Sequence, residues 1–283
     1  MGNKPVYHLA SFSGGKDSTA MVLGMIERGD KIDEVLYCDT TMEFPAMERH
    51  VEKVKRIIED AGIKFTTLRA KHDFEYYLLR HRVERKSDKY EGLPGYAWPG
   101  PQFRWCTRAL KVQIINRYVR SLCQNYEVVQ YIGLAADEGY RLERKNNQND
   151  THRHPLREWG WTEAEALAYC YKKGYDWEGL YEIFDRVSCW CCPLQSLAEL
   201  RKLRAHFPEL WEHLAHLDSQ TWRDFKPDGW SVEKLEKRFA FEEAMAAGGH
   251  KLKGKHFYTD LKRHCFDGVD LETILRERQE VKA

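Results

Sequence analysis

Two stretches of this chain carry side chains whose types and spacing could do chemistry. The first is Ser11-Phe12-Ser13-Gly14-Gly15-Lys16-Asp17-Ser18-Thr19. A Ser-Gly-Gly turn leading into a helix exposes successive backbone N–H groups, and the helix start adds a field favouring an anion by up to about 2 kcal/mol. Glycine is needed where phosphate oxygens approach the backbone too closely for a Cβ. Lys16 would add a point charge, Ser13 and Ser18 hydroxyl donors, and Asp17 a carboxylate to help hold Mg2+. A plain glycine turn with a Ser/Asp helix cap is the alternative. The Walker phosphate loop does not fit, because its first glycine would fall at Ala10 and Asp17 stands where Ser or Thr must follow the lysine.

The second stretch is Cys189-Trp190-Cys191-Cys192-Pro193. Cys189 and Cys192 have the C-x-x-C spacing that lets two thiolates meet one metal or cluster. Cys106 is the natural third ligand, with Cys191 or Cys265 as a candidate fourth. Three chemistries stay open: a [4Fe-4S] cluster, which Cys-only ligation with split spacing suits; zinc, with 12 His residues available to complete a site; and a thiol–disulfide pair. Cys106 stands at an expected helix start, where a thiolate is stabilised, among Arg104, Arg108 and Lys111, which can meet phosphate or sulfate. A solvated basic helix face is the alternative for those charges, but it does not account for the cysteine.

The elements that must position these residues follow from hydrophobic periodicity. Strands are expected at Val6 to Ser11, Glu34 to Cys38, Lys64 to Leu68 and Val128 to Gly133. Helices are expected at Ser18 to Arg28, Pro45 to Ala61, Phe74 to His81, Thr107 to Leu122 and Thr162 to Lys173. In the second helix Val51, Val54, Ile57 and Ile58 share the buried face. Thr162 and Glu165 have capping-box spacing. This alternation implies an α/β fold, doubly wound around a mainly parallel sheet, with ligands bound at the carboxyl ends of the strands. Residues 83 to 103, rich in Gly and Pro, read as a long lid or binding loop, and Asp137 to His154 as a mobile polar loop. From Trp177 onward the chain reads as helical. We expect a nucleotide-binding domain over 1–193 and a helical extension over 194–283.

Bulk composition narrows the class. The 45 basic and 44 acidic side chains nearly cancel, which removes the overall positive field of a general nucleic-acid binder, though Arg80, Arg82, Arg85 and Lys86 could form a local patch. No apolar run reaches the roughly 18 residues of a membrane span, and no secretory signal is visible, so a cytoplasmic protein without a membrane partner is expected. Val6 occupies the place where a myristoylation signal wants Ser or Thr. Of the eight cysteines, Cys38, Cys123 and Cys170 lie singly in apolar stretches and read as core residues. Trp211, Trp222 and Trp230 read as packing rather than base stacking.

The string Ser11 to Thr19 resembles the PP-loop of the adenine nucleotide alpha hydrolase superfamily. Cys38-Asp39-Thr40-Thr41-Met42-Glu43-Phe44-Pro45, Arg104-Trp105-Cys106-Thr107-Arg108-Ala109-Leu110-Lys111 and Gly133-Leu134-Ala135-Ala136-Asp137-Glu138 with Arg141 and Arg144 are similar to segments of its phosphoadenylyl-sulfate (PAPS) reductase-like members. His154-Pro155-Leu156 extends the likeness, which runs from about Val6 to Pro193. The resemblance implies ATP or a sulfonucleotide held by Ser11, Ser13, Gly14, Gly15, Lys16, Asp17, Ser18, Asp39 and Gly133. It also implies chemistry involving Lys16, Asp17, Arg104, Cys106 and Lys111, and it agrees with the cluster reading of the cysteines.

Three functions fit that resemblance. In the first, ATP adenylates an acceptor, pyrophosphate leaves, and sulfur from a donor displaces AMP. In the second, adenylyl sulfate or its 3′-phosphorylated form is reduced by a nucleophilic cysteine. The third is a nucleotide-binding partner without catalysis in a modification or defence system. The full Gly-Gly-Lys-Asp-Ser string favours the first. In place of the Glu-Cys-Gly-like nucleophile segment of familiar sulfonucleotide reductases, the C-terminal region has Arg263-His264-Cys265-Phe266. The acceptor (a tRNA base, a DNA phosphate or a small metabolite) and homodimer formation stay open.

Overall fold

The computed structural model describes residues 4–84, 90–139 and 151–280. Its chain divides into two compact units, one of residues 1–77 and 101–192, the other of residues 78–100 and 193–283.

The first unit is built on strands β1 (Val6–Phe12), β2 (Glu34–Asp39), β3 (Lys64–Arg69), β4 (Glu127–Ile132) and β5 (His152–Arg153). All pair in parallel, in the order β3-β2-β1-β4-β5. This is the expected doubly wound α/β arrangement. The chain leaves β1 in one direction through β2 and β3, then returns to the other side of β1 as β4. The switch point therefore lies between β1 and β4, and a ligand crevice belongs at their carboxyl ends. Helices α1 (Lys16–Arg28), α2 (Pro45–Asp60), α3 (Phe74–Leu79), α4 (Trp105–Thr107), α5 (Gln113–Leu122), α6 (Pro155–Glu158), α7 (Glu163–Lys172) and α8 (Leu180–Ile183) accompany the sheet.

Most expected elements are present, with instructive differences. In α2, Val51, Val54 and Ile58 are buried, but Ile57 is 41% exposed, because the buried stripe is too narrow to include both neighbours. The expected Thr107 helix begins earlier and is interrupted by a π-helical segment, Arg108–Val112, between α4 and α5. Within the polar stretch Asp137 to His154, residues 152 and 153 pair with Gln130 and Tyr131 as β5, so the end of that stretch is ordered by the sheet edge. Residues 140–150, with Arg141 and Arg144, lie outside the described residues. The capping box is formed in both directions: Thr162 accepts from the Glu165 N–H, and the Glu165 carboxylate accepts from the Thr162 N–H.

One face of the sheet is sealed by Leu9, Leu36 and Val128 packing with Ile115, Tyr118, Val119 and Leu122 of α5. Cys170 is buried, as expected, whereas Cys123 is exposed at the end of α5, where the chain turns toward β4. At the opening of β2, Glu34 is fully buried. It accepts from the hydroxyls of Tyr7 (2.8 Å) and Tyr118 (2.6 Å), from Lys64 Nζ (3.0 Å) and from the Thr66 hydroxyl.

The second unit contains α9 (Leu197–His206), α10 (Pro208–Ser219), α11 (Val232–Ala247), α12 (Lys255–Cys265) and α13 (Leu271–Glu280). Its core joins Phe241, Met245, Phe257, Leu261, Cys265 and Ile274. The described part of the expected 83–103 loop that belongs here is tied down rather than lid-like. Trp98 Nε1 donates to Asp218 Oδ1 (2.7 Å), and Trp222 Nε1 donates to the Pro94 carbonyl (3.0 Å). Trp211 donates to Glu236 (2.8 Å), and Trp230 packs edge-on against Phe266, so all three expected packing tryptophans are engaged. Arg85 and Lys86 lie outside the described residues. Among the described residues no helix is long and apolar enough to cross a membrane.

Burial alone would raise the Glu34 pKa, but its hydrogen bonds outweigh that and hold the carboxyl below its ordinary value. Glu34→Ala, which removes the shared acceptor, is expected to cost about 3 kcal/mol in urea unfolding near neutral pH. The folded carboxyl titrates below the unfolded value of about 4.3. Its contribution is therefore complete above that pH and is lost as pH falls through the folded value. The gap between wild type and variant should narrow in acid.

Candidate functional site

β1 ends at Phe12, and the hairpin Ser13-Gly14-Gly15 turns the chain into α1. Gly14 has φ +80°, the left-handed region, and a Cβ there would meet Met47 Sδ at 2.8 Å and Val51 Cγ2 at 2.9 Å. Glycine is thus required both by conformation and by the packing of α2. Inside the hairpin Ser18 Oγ accepts from the Ser13 N–H (3.1 Å) and donates to the Gly15 carbonyl (3.0 Å). Ser18 therefore holds the loop's shape, while Ser13 is exposed at its mouth. Ser11 is a strand residue, in register with Leu36 and Ile132, and supports the loop from below.

β4 delivers Gly133 to the same place. A Cβ on Gly133 would lie 2.8 Å from Ser18 N and 2.9 Å from the Asp17 carbonyl carbon, so two backbones touch here. The following turn brings Asp137 and Glu138 alongside. Asp137 Oδ1 accepts from the Glu163 N–H (3.0 Å) at the start of α7. Lys16 Nζ is held by Asp17 (2.8 Å) and Glu163 (2.9 Å). Burial works against the lysine charge, but those two carboxylates raise its pKa above the ordinary value. Asp17 is also raised, first by burial, with Glu163 and Glu138 adding to it against Lys16. The lysine proposed as a phosphate contact is thus shared with acidic neighbours.

A brace that the sequence does not advertise holds the loop from behind. Trp177 Nε1 donates to the Gly14 carbonyl (2.8 Å), His50 stacks on Trp177 (4.4 Å between ring centres), and His50 Nε2 is 2.9 Å from the Thr19 hydroxyl. The Lys16 N–H donates to the Tyr181 hydroxyl (3.0 Å). Trp177 and Glu178 both have left-handed φ, +49° and +53°, a strained conformation held in place by these contacts. No local spacing signals the brace, because it joins α2 to a segment more than a hundred residues later.

At the end of β2, Asp39 is paired with Arg69 and accepts from the Thr41 N–H (2.7 Å), closing a turn in which Thr41 has φ +66°. The cysteines gather beside it. The Trp190 N–H donates to the Met42 carbonyl (3.3 Å), Cys189 Sγ donates to Glu43 Oε1 (3.6 Å), and the Cys192 N–H donates to the Cys189 carbonyl (3.1 Å), closing the C-x-x-C turn. The π segment directs Lys111 toward this group, 3.7 Å from Glu43 Oε1, and its Leu110 carbonyl accepts from Cys38 Sγ (3.0 Å). Such π segments recur at functional sites. Burial disfavours the Lys111 charge, but the Glu43 carboxylate raises its pKa above the ordinary value. Arg104 and Arg108 are exposed, and Arg108 lies over the Phe103 ring.

Cys106, Cys189, Cys191 and Cys192 influence one another electrostatically. Burial pushes the thiols of Cys106, Cys189 and Cys191 above their ordinary value, so the expected low-pKa Cys106 thiolate is corrected: burial outweighs the Thr107 N–H at the helix start. Among the described residues no group of three or more His, Cys, Asp or Glu is arranged to hold a metal ion. The side chains as placed are therefore not a ligand set for zinc, Mg2+ or an iron–sulfur cluster. Cys265 lies in the apolar core of the second unit.

The loop and the thiols share a neighbour. The segment from Thr40 to Val51 touches the cysteines through Thr40, Met42 and Glu43, and the glycine hairpin through Met47 and Val51. A glycine hairpin thus stands at the β1/β4 switch, with Asp39 at the end of the adjoining strand and the thiols beside it. The family profile for the phosphoadenosine phosphosulfate reductase domain covers residues 7–195. The chain belongs to that family.

Two uncharacterized proteins of Methanocaldococcus jannaschii are similar to it. MJ0066 is 28% identical over 217 residues, covering 74% of this chain and 40% of that protein. MJ0973 is 26% identical over 207 residues, covering 71% and 45%. The chain thus spans less than half the length of these curated relatives. Among solved structures, the U34-tRNA thiolase NcsA from Methanococcus maripaludis with its [4Fe-4S] cluster is matched at 15% identity and a TM-score of 0.40, over 95% of this chain and 83% of that one.

Burial holds His50 neutral, with its pKa lowered to about 4. In the unfolded chain the same imidazole titrates near 6.5. The unfolded state therefore takes up the proton first as pH falls, and stability declines between about 6.5 and 4. Wild type should be about 2 kcal/mol less stable at pH 5 than at pH 7.5 from this residue alone. Urea unfolding of His50→Gln should show a decline smaller by that amount.

Proposed function

We propose that this chain is an ATP-dependent sulfur-transfer enzyme, in which ATP adenylates an acceptor, pyrophosphate leaves, and sulfur from a donor displaces AMP. The observation that carries the reading is the complete Gly14-Gly15-Lys16-Asp17-Ser18 hairpin at the β1/β4 switch, joined by one chain segment to the thiol group. Cleavage of ATP between its α and β phosphates needs a grip on pyrophosphate. The α1 start supplies a favourable field, and Lys16 keeps its charge between Asp17 and Glu163. Phosphate oxygens would compete with Glu163 for that lysine. Asp17 is the carboxylate nearest the lysine and the candidate contact for Mg2+.

The thiols supply the sulfur side. Cys106, Cys189 and Cys192, with Cys191, are the candidates for a [4Fe-4S] cluster, since an all-thiol donor set suits iron–sulfur or zinc chemistry. Because the thiols as placed do not form a ligand set, no step is routed through a metal here. The role assigned to Lys111 is electrostatic: a positive charge among groups that become anionic on deprotonation stabilises that form. Candidate acceptors are a tRNA base, a DNA phosphate and a small metabolite.

A second reading, reduction of adenylyl sulfate or phosphoadenylyl sulfate, is favoured by the family itself. It needs a nucleophilic cysteine able to reach the nucleotide. Cys265 is a poor one, since it is buried and its thiol is pushed up to about 11 by burial.

Protein purified without oxygen should release pyrophosphate from ATP in the presence of its acceptor. Release of sulfite from a sulfonucleotide would instead establish the reductase, and nucleotide binding with neither product a non-catalytic role. Lys16→Ala and Asp17→Ala should each lower turnover at least ten-fold in protein that still folds, checked by circular dichroism, and unchanged turnover in both would remove the loop from the mechanism. Cys106→Ser and Cys192→Ser should each lower the iron content of anaerobically purified protein, measured by metal analysis. Iron unchanged in both would exclude these thiols as ligands.

A further inference from the structure

Tyr181 stands at the phosphate hairpin in a way that neither its sequence context nor the family motif indicates. Its hydroxyl accepts the Lys16 N–H at 3.0 Å, at the first residue of α1. That N–H belongs to the set a helix start leaves without an intrahelical partner, and it is one of the groups that would face an anion directly. Here a side chain stands in front of it. A Cβ built on Gly15 would lie 3.4 Å from the same hydroxyl, which places Tyr181 beside the hairpin as well as beside the helix.

The donor balance of this hydroxyl points outward. A phenol has one hydrogen to give and can accept at its oxygen. An amide N–H can only donate, so the Lys16 contact uses the oxygen and leaves the hydroxyl hydrogen unspent. Among the described residues that hydrogen has no acceptor. Burial, chiefly, raises the Tyr181 pKa, so the group remains a donor through the physiological range. Accepting the amide hydrogen polarises the O–H bond and strengthens it as a donor.

The side chain is held in place for this task. Tyr181 lies in α8 and packs edge-on against Trp177 at 4.8 Å. Trp177 is fixed to the Gly14 carbonyl and stacked on His50. Hairpin and tyrosine are thus bound to one rigid set of rings, with the hydroxyl directed to the helix start. A ligand made only of acceptors, such as the oxygens of a phosphate chain, complements that spare hydrogen.

We propose that the Tyr181 hydroxyl is a phosphate-contact group of this hairpin, accepting the Lys16 N–H and donating its own hydrogen to an oxygen of the nucleotide's phosphate tail. The helix field then reaches the ligand through a side chain. This assignment rests on the nucleotide reading of the hairpin and adds to it a contact residue from a distant part of the chain.

The test is calorimetry on the full chain and on Tyr181→Phe, with ATP, phosphoadenylyl sulfate and adenosine as separate probes. The phenylalanine keeps the ring packing against Trp177 and removes only the hydroxyl. Affinity for the phosphorylated probe that wild type binds should fall at least ten-fold, while the affinity for adenosine and the unfolding midpoint stay unchanged. Equal affinity in the two proteins, or tighter binding by Tyr181→Phe because the bare Lys16 N–H meets the phosphate directly, would overturn the assignment. A parallel loss for adenosine, or a lowered unfolding midpoint, would show a bracing role and overturn it too. If wild type binds neither ATP nor phosphoadenylyl sulfate, the nucleotide reading of the hairpin fails, and this assignment fails with it.

Discussion

At the carboxyl edge of the sheet two stretches of backbone meet without a side chain between them. Gly133, leaving β4, lies so close to Asp17 and Ser18 that a single methyl group could not be inserted. The closeness follows from topology, because β4 pairs directly with β1 and both chains must leave the sheet at the same height. Every later feature of the site assumes this contact. It sets where α1 begins, which amides face the crevice, and how the turn carrying Asp137 and Glu138 comes alongside Lys16.

Around that contact charge is gathered into two groups of side chains. In one, Lys16 is shared by Asp17 and Glu163, with Glu138 near enough to raise Asp17 further. In the other, Lys111 faces Glu43 and a set of thiols that burial keeps protonated. Each group holds a lysine whose charge is sustained by neighbouring carboxylates, the condition in which a positive group interacts strongly with an incoming anion. The segment from Thr40 to Val51 touches both the thiols and the hairpin, so its left-handed Thr41 and the packing of Met47 against Gly14 are constraints on the two together.

The second unit makes its own core, and its polar anchors are internal to it. Asp218 accepts from both Trp98 and the Val232 N–H, linking residues 78–100 to the helices that follow residue 193. Serines at 196 and 231 cap α9 and α11 by accepting from the third residue of each helix. These are the contacts of a stably folded region. The tryptophans here are spent on packing, with the ring N–H groups of Trp98 and Trp211 satisfied by carboxylates.

The order of strands and helices, the hairpin at residues 13–18, the capping box at Thr162 and the C-x-x-C turn were all legible in the sequence. Each is set by neighbours within a few residues: a period of burial, a glycine that must adopt an unusual backbone, a side chain capping its own helix. Tertiary structure alone decided the rest. Tyr181 and Trp177 reach the hairpin across more than a hundred residues and His50 across about thirty, Lys111 is turned by a π segment that no helix pattern encodes, and β5 is a strand only because β4 offers it an edge. The direction of the Cys106 pKa likewise follows burial rather than its place at a helix start. Local conformation is written in short-range sterics and hydrogen bonds, whereas the electrostatics of a site depend on which distant groups the fold brings within a few ångströms.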